Sequence, residues 1–116
     1  MKILLITNKG IEKSSRIKDL EKICDLTISF LEKNNLFKDN SYNLVILLTK
    51  KILKRKDAVF LKITSFINRN NLKLIELAFS KSKIDKNKPE SEAIIHGLEK
   101  MTWEVLLKII KKKILI

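Results

Sequence analysis

The chain has two glycines, one proline, one cysteine and one histidine in 116 residues, and aromatic residues make up only 6% of it. Each scarcity removes a class of function. Cys24 alone excludes an intrachain disulfide and any zinc site built on several cysteines, and His96 is the only imidazole. A Walker loop needs two glycines with four residues between them, followed by Lys-Ser/Thr, so that backbone N–H groups wrap a phosphate. The segment NKGIEKSS at residues 8–15 offers Gly10 only, and a dinucleotide fingerprint fails for the same lack, since Gly97 is the other glycine. Few aromatics argue against gripping single-stranded nucleic acid by base stacking. No Pro- or Gly-rich linker divides the chain, so residues 1–116 read as one domain. The longest apolar runs, residues 3–6, 44–48 and 58–61, fall far short of the ~20 residues of a bilayer span. Residues 1–7 are too short and too soon followed by charge for a signal peptide, so a cytoplasmic protein with no membrane partner is expected. Cys24 lies on an apolar helical stripe, and His96 has no serine, cysteine or carboxylate at a suggestive spacing. No catalytic constellation is legible, so no enzymatic activity and no cofactor or metal is expected.

What the chain has is positive charge, concentrated in one segment. Residues 50–88 carry twelve Lys or Arg against three acids, Asp57, Glu76 and Asp85, a local balance of +9. The flanks are nearly neutral, at +2 over residues 1–49 and +1 over residues 89–116. Two dense clusters, at residues 50–56 and 81–88, each begin where an apolar run ends. If those runs are parallel strands, both clusters lie on the carboxyl-end rim, where open α/β sheets bind ligands. The anion-binding candidates are therefore Lys9, Lys13, Lys50, Lys51, Lys54, Arg55, Lys81 and Lys83. Lys9 and Lys13 join the set because a helix start near Ser14 and Ser15 favours anions. The competing explanation for the same charges is a solvated, solubilising surface.

Periodicity gives the elements. Residues 2–7 form an unbroken apolar run of strand length, as in a strand covered on both faces. Ser14 or Ser15 then caps a helix whose stripe is Ile17, Leu20, Ile23, Cys24, Thr27, Ile28 and Leu31, stopped by Asn34 and Asn35. Residues 43–49 are the second strand. Asp57 caps a helix with the stripe Val59, Phe60, Ile63, Phe66 and Ile67, which the Asn-Arg-Asn-Asn run at residues 68–71 ends. Residues 72–78 alternate more, predicting a strand less deeply covered. A short helix from Glu90 with Gly97 as its C′ residue follows, then a helix capped by Thr102 with Trp103, Leu106, Leu107 and Ile110 inward, and a strand over residues 112–116. This order predicts an α/β, single-domain, three-layer αβα sandwich with a mostly parallel sheet.

The segment EAIIHGLEKMTWEVLLKIIKKKILI at residues 92–116 resembles the ending of the DsrE/DsrF/DsrH-like sulfur-relay proteins. The opening KILLITNKG, with Asn8 and Lys9 after the strand, is similar to a DsrH-type start. The resemblance runs over nearly the whole chain. It implies homo-oligomers or assembly with a related subunit, and a persulfide-carrying cysteine near the end of a central strand. That position falls near Ala78, Phe79 or Ser80, where no cysteine stands, and serine cannot form a persulfide. The resemblance therefore implies a non-catalytic or diverged member acting as a subunit or binder. The alternative partner, read from charge alone, is nucleic acid or another polyanion on the basic rim. A flavodoxin-like phosphorylated cofactor lacks the hydroxyl-rich loop it would want.

Overall fold

The computed structural model describes residues 2–32, 41–78 and 100–114. Their elements are β1 (Lys2–Thr7), a 3-10 turn (Ile11–Lys13), α1 (Ser15–Ile23), β2 (Asp25–Phe30), β3 (Leu44–Thr49), α2 (Ala58–Arg69), β4 (Lys73–Ala78) and α3 (Lys100–Ile114). The four strands form one sheet in the order β2-β1-β3-β4, parallel throughout.

The apolar runs fill the two central positions. All six residues of β3 are buried, as are Ile3 to Thr7 of β1, because each strand has a neighbour on both edges and a helical layer on both faces. Alternation sorts their side chains. Ile3, Leu5, Leu44, Ile46 and Leu48 pack with Ile17 and Leu20 of α1 and Trp103, Leu106 and Ile110 of α3. Leu4, Ile6, Val45 and Leu47 pack with Phe60, Ile63, Phe66 and Ile67 of α2. The result is three layers, with α1 and α3 on one face and α2 on the other. Each fully buried Leu or Ile contributes about 1.5–3 kcal/mol against solvent exposure, so these two strands carry much of the stability. Arg16 of α1 lies 5.9 Å from the Trp103 ring centroid, a cation–π contact joining the helices of one layer.

Local signals explain most element ends. Ser14 caps α1, its hydroxyl accepting the Arg16 N–H at 3.2 Å. Asp57 occupies the N-cap position of α2, although its carboxylate makes no capping bond. The asparagines stop α2 as expected: the Asn70 N–H donates to the Phe66 carbonyl at 3.1 Å, and Asn71 takes the left-handed conformation at φ 53°. β4 is only partly buried, in keeping with its alternating sequence.

Three expectations are corrected. The stripe read as one helix from Ile17 to Leu31 breaks at Cys24, which is fully extended at φ −153° and ψ 166°, and Asp25–Phe30 is a strand. The sequence DLTISF alternates, with Leu26 and Ile28 packing against the α1/α3 core, and its Thr, Ile, Ser and Phe favour helix poorly. The strand expected over residues 112–116 is also overturned, since α3 continues through Ile114; residues 115–116 lie outside the described residues. The lysines at 111–113 are good helix formers and let α3 run on past Ile110. Thr102 is also inside α3 rather than its cap, since the helix starts at Lys100. The short helix expected from Glu90 and its Gly97 terminator fall outside the described residues. Among those residues no helix is long and apolar enough to cross a membrane.

Candidate functional site

The strand order determines where a ligand meets the sheet. β1 leads through α1 to β2 on one side, and β3 leads through α2 to β4 on the other. The chain therefore departs from β1 and β3 toward opposite layers, and their carboxyl ends form the switch point at which doubly wound sheets hold ligands. The loops at that switch point are 8–10 and 50–57.

Both loops are tied to the sheet. The buried Thr7 hydroxyl donates to the Leu48 carbonyl at 2.7 Å, and the Thr7 carbonyl accepts from the Leu31 N–H at 3.0 Å. The Thr49 hydroxyl donates to the Lys51 carbonyl. Gly10 sits at φ 101°, a left-handed conformation with no neighbour close enough to crowd a Cβ, so backbone strain alone selects glycine there. Its N–H donates to the Glu12 carboxylate at 2.7 Å.

Asn8 joins three strand ends. Its Oδ1 accepts the backbone N–H of Lys50 at 3.0 Å, and its Nδ2 donates to Glu32 Oε1 at 3.1 Å. The backbone N–H of Lys9 also points at Glu32, at 3.2 Å from Oε2 and 3.4 Å from Oε1. A carboxylate thus lies beside the carboxyl end of β1, held by an amide side chain and a main-chain donor. Burial pushes the Glu32 pKa up, but the hydrogen bonds from Asn8, from its own backbone and from Lys9, with the charge of Lys50, outweigh it, and the net shift is downward.

The expected basic residues divide. Lys9 and Lys50 follow the carboxyl ends of neighbouring strands, and Lys51 and Lys54 are exposed in the β3–α2 connection. Lys13 is exposed and closes the turn at Ile11–Lys13, a step away toward α1. Arg55 is engaged by an acid: its Nη1 lies 2.8 Å from Glu76 Oε2, and its guanidinium is 4.5 Å from the Phe60 ring centroid. Lys81 and Lys83 lie outside the described residues. Glu32 was not anticipated, because a helix through Leu31 assigns it to a solvent-facing helix end. A strand at residues 25–30 would have placed it just past a strand end, beside Asn8.

Cys24 lies far from this rim, at the amino-terminal start of β2. It is half-buried, and its thiol donates to the Leu20 carbonyl at 3.3 Å. Burial pushes its pKa up, and the Asp25 and Glu21 carboxylates push the same way. Among the described residues no cluster of His, Cys, Asp or Glu is arranged to hold a metal ion. Compared with family models, curated proteins and solved structures, the chain matches none.

Proposed function

We propose that the protein is a cytoplasmic binding module whose basic carboxyl-end rim takes a phosphate-bearing polyanion, with nucleic acid as the partner class. The observation that supports this reading is the adjacency of β1 and β3, whose carboxyl ends are followed by Lys9 and by Lys50, Lys51 and Lys54. Lysines are suited to tracking a phosphate backbone as flexible point charges, and the scarcity of aromatics leaves base stacking little role. Recognition would then be electrostatic and largely independent of sequence.

The test is a salt titration of duplex DNA or RNA binding by wild type and a Lys50→Glu/Lys51→Glu/Lys54→Glu variant. Each phosphate neutralised contributes a slope of about −0.9 to log K against log salt on a duplex. The variant is expected to bind more weakly and to lose up to about three such contacts from its slope. Equal affinity and equal slope across the titration would make the rim solvated surface.

A second reading is a diverged, non-catalytic DsrE-like subunit linked to sulfur relay. Its motivation is the resemblance at residues 92–116 together with the apolar pair Val105 and Ile109, one turn apart on α3 and 49% and 39% exposed. Such a pair on a surface helix fits assembly with a second copy or a relative.

A further inference from the structure

Resting on the reading of the rim as an anion site, we propose that the Glu32 carboxylate is a built-in stand-in for a phosphate monoester. The phosphate would displace it and accept from Asn8 Nδ2 and the Lys9 backbone N–H, facing Lys50. Neither donor depends on Glu32 for its direction. The Lys50 N–H bonds Asn8 Oδ1 at 3.0 Å, and since an N–H needs an acceptor, this fixes the amide with Nδ2 on the side that Glu32 occupies. Lys9 N–H is aimed by the loop that leaves β1, whose last residue is held to both neighbouring strands.

The carboxylate meets the two neutral N–H donors at 3.1, 3.2 and 3.4 Å, at the long end of the N–H···O range. A phosphate monoester carries about −1.5 to −2 charge and three strong acceptor oxygens, so it can satisfy both donors at shorter range and draw on the Lys50 charge. Glu32 is exposed and leaves toward solvent without opening the core. Being tethered, it competes as an anion of about millimolar effective concentration, which screens the site against weak anions.

Inorganic phosphate, followed by the backbone amide resonances, tests this. In wild type the Lys9 amide should shift on titration, and in Glu32→Gln it should saturate at about ten-fold lower phosphate, the competing charge being gone. Glu32→Ala, which removes the acceptor as well, should move the midpoint the same way. Because Glu32 is exposed, thermal melts of both variants should show folded protein. Unchanged midpoints in both variants, or no response at Lys9 in any protein, overturns the inference. The two proposals fail separately. Glu32→Gln without effect while the triple lysine variant loses nucleic acid overturns the Glu32 role and leaves the rim. Tighter phosphate in Glu32→Gln with nucleic-acid binding indifferent to the lysines overturns the polyanion reading and leaves the phosphate site.

Discussion

Replacing Asn8 by alanine tests the junction on which the rim depends. The substitution removes the acceptor for the Lys50 N–H at 3.0 Å and the donor to Glu32 at 3.1 Å, and leaves the strands themselves intact. A neutral hydrogen bond contributes about 1 kcal/mol net and one to a charged group about 1.5–3 kcal/mol. Lys50 and Glu32 are exposed, so water replaces part of what is lost, and the expected total sits low, at about 1.5 kcal/mol. Urea unfolding should show an unchanged slope and a midpoint lower by roughly 0.7 M, taking a slope of about 2 kcal/mol per M. The difference should also depend on pH. Glu32 has its pKa lowered in the fold, so the unfolded chain binds more protons near that range. Its contribution is therefore complete above the unfolded pKa and lost as pH falls through the folded one. Asn8 supplies the foremost of the hydrogen bonds that lower it, so the gap between wild type and Asn8→Ala should narrow in acid. Asn8→Asp keeps the acceptor for Lys50 but sets a carboxylate against Glu32, so it should be the less stable of the two variants at pH 7 and recover as either acid takes a proton. An Asn8→Ala protein within about 0.3 kcal/mol of wild type, or an Asn8→Asp protein whose deficit ignores pH, would refute this account of the junction.

Two other outcomes bear on the second functional reading. Cys24 lies at the opposite end of the sheet from the rim, half-buried and with a raised pKa, so Cys24→Ser should match wild type in a persulfide-transfer assay; a robust wild-type activity lost in a folded variant would overturn this. If Val105 and Ile109 join two copies, sedimentation at tens of micromolar, a working range for modest affinities, should show a dimer that Val105→Lys abolishes, and a wild-type monomer there would count against assembly.

Several elements were readable because one pattern admitted one structure. β1 and β3 are apolar without alternation, which suits only a position covered on both faces, and α2 carries a full helical stripe between Asp57 and the asparagines at its end. The location of lysines directly after strands was likewise a property of the chain order. The stretch from Ile23 to Leu31 was ambiguous, since over so few residues its apolar positions satisfy both a helical and a two-residue period. The edge of β1 resolved it: the N–H and C=O groups from Lys2 to Thr7 need partners, and pairing Lys2 with Asp25 through Thr7 with Phe30 supplies them. At the C-terminal end the terminal isoleucines looked like a strand, but the helical stripe from Trp103 through Ile110 had a core to bury into and carried the helix through Ile114. The charge balance of the rim was not readable either. Counting along the segment from 50 to 88 finds few acids, yet Glu76 crosses to Arg55, and Glu32, from outside the segment, reaches Asn8. Local sequence determines which residues form strands and helices, because propensity and periodicity act over a few residues. Which strand lies beside which is decided by the tertiary structure, because hydrogen-bond pairing and burial act across the whole chain, and that pairing placed Glu32 against Asn8 and Lys9.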